Sequence, residues 1–124
     1  MDRRFFGLGA VSAFLAVAAG AFGAHALRDA VPPDRLEVWE TAARYQMYHA
    51  LGLLVVAYLA AQKDARATRL AGWLFVGGTV LFSGSLYVLA VSGITWLGAV
   101  TPLGGVAFLV GWLVLAWTAI KLRV

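Results

Sequence analysis

Residues 70–91 read LAGWLFVGGTVLFSGSLYVLAV, a stretch with no charged side chain in which polarity enters only through hydroxyls and glycines. On a helix it shows no polar face, and a helix at the surface of a water-soluble protein needs one. Its length is close to the ~20 residues that cross a ~30 Å hydrocarbon core. Three further apolar stretches of similar length lie at about 5–24, 41–61 and 103–120, the second of them also carrying Arg44, Gln46 and His49. Together they occupy nearly all of the 124 residues and leave three short connections, two stubs and no aqueous domain. A hydrophobic content of 62% with five Trp agrees. The expected fold is all-α, an integral membrane four-helix bundle forming a single domain over residues 1–124.

The net charge is +4, but the basic residues sit at span ends instead of forming a nucleic-acid-binding patch. Arg3, Arg4, Lys63, Arg66, Arg69, Lys121 and Arg123 fall on one side of a four-span chain, against Arg28, Arg35 and Arg44 on the other. By the positive-inside rule this asymmetry predicts both termini in the cytoplasm. Cysteine is absent, which excludes disulfides, thiolate metal sites and thiol catalysis.

The amino end, with Arg3, Arg4, an apolar run and small residues over 21–24, has some features of a secretory signal. The run is longer than the seven to fifteen residues of a signal core. Gly9, Ala13, Ala16, Gly20 and Gly23 also keep helical spacing to its end, as close helix packing in lipid requires. A retained first span is expected.

Residues 28–44 form the only hydrophilic stretch of any length. Pro32 and Pro33 break the chain, and Asp34 with Glu37 three residues later predicts an N-cap and a variant capping box. A helix beginning there, amphipathic over 34–44, runs straight into the second span. Glu40 and Arg44 have the i, i+4 spacing of an ion pair.

Four blocks of sequence carry a family resemblance. They are GAFGAHAL (20–27), TAARYQMYHAL (41–51), FSGSLY (82–87) and TPLGG (101–105), in order and one per span. In these the chain resembles the YgdD-like family of small bacterial inner-membrane proteins (domain of unknown function 423), whose eukaryotic relatives are the transmembrane protein 256-like proteins. The resemblance implies a four-span inner-membrane protein with its first span retained, and it implies no chemistry.

Polar groups inside the spans gather toward one side of the membrane. Counting from Thr41, His49 lies about 12 Å down its helix, and Ser83 and Ser85 lie about 12 and 9 Å below Val91. Tyr87 is shallower, while His25 ends the first span and Thr101 opens the fourth. Such a set suits an interhelical hydrogen-bond network that holds the bundle in register. A second reading is a binding pocket for a ligand or partner, built from His25, Tyr45, Gln46, His49, Ser83, Ser85, Tyr87 and Thr101.

Other chemistries are poorly supplied. A metal needs three or four converging ligands, and the spans offer two His with no carboxylate, so no metal or other cofactor is expected. Ser83 or Ser85 with His49 lacks an acidic residue at depth to orient the imidazole, so no enzyme is expected. Coupled transport usually relies on an intramembrane carboxylate, which is missing. The expected partners are the lipid bilayer and a second copy or a larger membrane complex. Gly104, Ala107 and Gly111, and separately Gly77 and Gly84, form small-residue stripes that suit packing within one bundle or between copies. The favoured function is that of a non-enzymatic accessory or binding protein, and the alternative is a channel or carrier for a small solute.

Overall fold

The computed structural model describes residues 1–62 and 65–121, so Lys63 and Arg123 of the charge count lie outside the described residues. Helix α1 (Arg3–Phe22) passes into a wide π turn (Gly23–Leu27), and α2 spans Pro33–Leu59. Helix α3 (Ala65–Gly78), a π turn (Thr79–Ser83) and α4 (Gly84–Ser92) form one continuous rod. A 3-10 turn (Thr95–Ala99) then leads into α5 (Thr101–Lys121). No strand occurs among the described residues.

The rods begin and end where local chemistry dictates. Asp2 caps α1, its carboxylate accepting from the N–H groups of Arg4 (3.0 Å) and Phe5 (3.4 Å). At α2 the expected Asp34 cap does not form. Pro32 takes the cap position in extended conformation and Pro33 the first helical position, without a side-chain cap bond. Proline already has the φ that a helix start requires and lacks the N–H that would be orphaned there, so Asp34 moves into the first turn and favours the helix dipole instead. The Glu40–Arg44 ion pair is not formed either, since the salt bridge among the described residues is Arg4–Asp2 at 3.9 Å. Gly93 ends the α3–α4 rod in the left-handed region (φ 72°), its N–H bonded to the Leu89 carbonyl.

Three of the rods, Arg3–Leu27, Ala65–Ser92 and Thr95–Lys121, are long and apolar enough to cross a membrane. Helix α2 is not among them, because Arg44, Gln46 and His49 lower its mean hydropathy. It nevertheless buries one face, Ala42, Ala43, Gln46, His49, Ala50, Gly52, Leu53, Val56 and Ala57, and leaves Tyr48, Leu51, Val55 and Tyr58 exposed on the other. Helix α1 packs along one side of α2 and the α3–α4 rod along another, while α5 packs chiefly on α3 and the π turn below α4. Toward the termini the core is Phe5, Leu53, Val56, Ala57, Ala71, Phe75, Phe108 and Leu115. At that end Arg4 lies over Trp73 (5.9 Å) and Lys121 over Trp117 (4.7 Å), a basic and aromatic rim of the kind found at membrane interfaces.

Small residues set the interhelical distances. Gly9, Ala16 and Gly23 of the α1 stripe are buried, and a Cβ on Gly9 would lie 2.8 Å from the Ala50 carbonyl of α2. A Cβ on Gly104 would run into the Phe82 backbone nitrogen and come within 2.8 Å of the Gly78 carbonyl, so α5 meets the rod backbone to backbone. The α5 stripe therefore serves contacts within the chain. Gly77 and Gly84 face open space, with nothing within 4 Å of a built Cβ.

This difference sets opposite expectations for two glycines. Gly104→Ala should lower stability by about 1–3 kcal/mol, as overpacking against a backbone does. Gly77→Ala should stabilise the rod by roughly 0.5–1 kcal/mol through helix propensity alone. Thermal unfolding of the two variants in detergent, side by side, checks both signs.

Candidate functional site

The buried polar residues of α2 reach each neighbouring rod. Gln46 donates from Nε2 to the Ser12 carbonyl of α1 (3.1 Å), with the Ser12 hydroxyl 3.4 Å away. Its Oε1 accepts from the Tyr87 hydroxyl of α4 at 2.7 Å. One amide thus ties three rods. Above it the Trp39 indole donates to the Ala19 carbonyl (2.8 Å) and lies between the rings of Phe22 (5.6 Å) and Tyr87 (4.6 Å). Ser83, fully buried, donates to the Ala42 carbonyl of α2 at 2.8 Å. The π turn is local to this contact: Thr79 bonds the Phe75 carbonyl, and the Gly84 N–H reaches back five residues to Thr79. Ser85 bonds the Phe82 carbonyl (3.0 Å) and Thr101 Oγ1 of α5 (2.6 Å).

His49 links α2 to α5. The Trp112 indole N–H, which can only donate, points at His49 Nε2 at 2.9 Å. Nε2 must therefore be the acceptor, and Nδ1 carries the proton and donates to the Tyr45 carbonyl at 2.7 Å. The imidazole stacks on Phe108 with centroids 3.5 Å apart and planes 7° apart, and it meets the Phe75 ring edge at 5.2 Å. Both nitrogens and one face of the ring are engaged. Neither Ser83 nor Ser85 is hydrogen-bonded to it, and among the described residues no three His, Asp or Glu gather as metal ligands do.

Of the eight residues proposed from sequence, Gln46, His49, Ser83, Ser85, Tyr87 and Thr101 enter this set of interhelical bonds. Tyr45 contributes its carbonyl to it and its ring to the cleft described below. His25 does not join. It stands exposed on the first π turn, because the buried positions there are Gly23, pressed against Trp39, and Leu27, and His25 points away between them. Ser12, Trp39, Phe108 and Trp112 complete the set and were missed as partners. A signal for Trp112 was present: it lies about 16 Å into its helix from Thr101, away from the interface where Trp is usual and near the depth of His49.

Because α5 leans on the α3–α4 rod, it stands off from α2, and a cleft of about 640 Å³ opens between them. Tyr45, Tyr48 and His49 form one wall, Pro102, Gly105, Val106, Leu109 and Trp112 the other, with Phe82 and Phe108 at its base. The lining is nearly all apolar and aromatic, and the cleft opens sideways. A smaller cleft of about 240 Å³ lies between α1 and the rod, beside Ser12, Gln46 and Thr79.

The His49–Trp112 bond should behave as a coupled pair. Trp112→Phe and His49→Phe should each lower stability by about 1 kcal/mol or more. The double variant should cost clearly less than their sum, since neither change then strands a buried partner. A double-mutant cycle on unfolding midpoints reads the difference, and strict additivity would contradict the assigned bond.

Residues 19–105 match the model of the family described as "Protein of unknown function (DUF423)". The chain is 53% identical over 118 residues to the UPF0382 membrane protein YwdK of Bacillus subtilis, covering 94% of this chain and 96% of that one. It is 49% identical over 117 residues to a UPF0382 membrane protein of Staphylococcus epidermidis, covering 94% and 95%. To UPF0382 membrane protein SSP2132 of Staphylococcus saprophyticus it is 48% identical over 118 residues, covering 95% and 98%. No solved structure matches. With similarity over nearly the full length of relatives that are themselves called membrane proteins, and three apolar rods of spanning length, the chain is a multi-pass membrane protein of the DUF423 family.

Proposed function

We propose that this protein is a non-enzymatic accessory protein of the bacterial inner membrane that binds an apolar chain, from a lipid or a partner, in the α2–α5 cleft. The observation that carries this reading is the contrast between two environments side by side. Buried side-chain polar atoms among the described residues all have partners, so the polar set is spent on holding rods together. The adjoining cleft is roomy, apolar and laterally open. Its volume is within the ~300–1,000 Å³ usual for small-molecule sites. Aromatic walls give a large contact area at small conformational cost.

In the same reading α2 is the fourth span, protected from lipid on most of its polar face by its neighbours. Both termini are cytoplasmic. The concentration of Arg3, Arg4, Arg66, Arg69 and Lys121 at the end that carries them supports this orientation.

A photoactivatable fatty acid added to the detergent-solubilised protein tests the cleft. Labelling should concentrate on residues 102–112, and Gly105→Phe, which fills the cleft, should lower it there several-fold while labelling of the exposed α1 surface stays constant. Equal labelling of all exposed apolar surfaces would contradict the reading. Reconstituted liposomes should show no solute flux above empty vesicles, and flux abolished by Gly105→Phe would identify a carrier instead.

A further inference from the structure

We infer that the occupant of the α2–α5 cleft is a membrane phospholipid with an ethanolamine head group, its tail along the cleft and its head at Arg44 and Glu40. This rests on the cleft being a binding site for an apolar chain. The wall formed by α5 runs from Pro102 to Trp112. That is about 15 Å of helix, the depth of one leaflet of a ~30 Å hydrocarbon core. A tail entering sideways therefore meets matched apolar surface from the interface to the bilayer centre and ends against Trp112 and His49.

The rim decides the head group. Tyr48 lines the cleft, and Arg44 stands one turn above it on the exposed flank of α2. Glu40 lies one turn above Arg44 and Glu37 nearly another, both exposed. Arg44 and Glu40 have the spacing of an ion pair and do not form one, so each has hydrogen-bonding capacity to give to a ligand. Along the membrane normal the order is apolar cleft, cation, then carboxylates at intervals of about 6 Å. An aminated phospholipid presents the complementary order of tail, phosphate and ammonium. A glycerol head group offers nothing to the carboxylates, and a choline head group has no N–H to donate to them. The guanidinium is suited to a phosphate through its planar fork of donors.

The full-length protein, mixed in detergent with equal amounts of phosphatidylethanolamine, phosphatidylglycerol and phosphatidylcholine of identical tails, tests this by native mass spectrometry. One retained lipid per chain is expected, with the ethanolamine lipid enriched about threefold or more over each competitor, the scale of an exposed ion pair. Glu37→Gln with Glu40→Gln should abolish the preference over phosphatidylglycerol, and Arg44→Ala should weaken retention of all three. Gly105→Phe should remove the bound lipid, with Val106→Trp as a second filling variant should the first unfold. Retention that Gly105→Phe removes but that shows no ethanolamine preference, or favours phosphatidylglycerol, overturns this inference and leaves the cleft as a chain-binding site. Lipid retention unaffected by either filling variant, or no retention at all, overturns both.

Discussion

A buried hydrogen-bonding group in hydrocarbon has no water to fall back on, and α2 carries several such groups into the middle of the bundle. The bond from the Trp112 indole to His49 Nε2, with Nδ1 donating to the Tyr45 carbonyl, shows how the constraint is met. The donor-only indole sets the tautomer, the tautomer turns the ring, and the ring then stacks on Phe108. Gln46 meets the same constraint toward Ser12 and Tyr87, and Ser83 toward Ala42. The least apolar rod thereby buries its polar groups against α1 on one side and the α3–α4 rod on another.

Close approach makes these short bonds possible. Gly9 lets α1 reach the Ala50 carbonyl, and Gly104 lets α5 reach the backbone at Phe82. The second contact also has a cost in packing. With α5 drawn against the α3–α4 rod, the seam toward α2 is bridged by His49, Phe108 and Trp112 and opens on its outer side into the aromatic-lined cleft. The polar set and the cleft are two results of one helix arrangement. His49 belongs to both, as a bonded element of the network and as part of the cleft wall.

In the proposed function such an arrangement separates stability from binding. The network engages both His49 nitrogens and the Ser83 and Ser85 hydroxyls. In the proposed function, binding would rest on the apolar surface of the cleft and on the charge at its rim, where Arg44 and Glu40 stand apart. Lipid recognition of that kind needs no reactive group, only a shape matched to a chain and charges arranged in depth order.

Hydropathy and helical period made much of this architecture legible from residues alone. The runs at 5–24, 70–91 and 103–120 became rods of spanning length, and the α1 stripe Gly9, Ala16 and Gly23 became a packing face, because these properties depend only on neighbours in sequence. Gln46, His49, Ser83 and Tyr87 stood out as polar groups where lipid should be, and they did prove to be paired. Their partners were not legible. Whether His49 meets His25, a metal or Trp112 depends on which helix faces turn together, and that is set by glycine contacts such as Gly104 on Phe82 and Gly23 on Trp39. Local rules were also overridden at Asp34, where the prolines start the helix, and at Glu40 and Arg44, whose spacing permits a pair without requiring one. The sequence by itself determined the three apolar runs that became rods of spanning hydropathy, while 41–61, read as a fourth, lies in α2, whose polar residues keep it below that hydropathy. Only the tertiary structure decided which polar groups meet and where a cleft remains, because both follow from the distances between rods that are far apart in the chain.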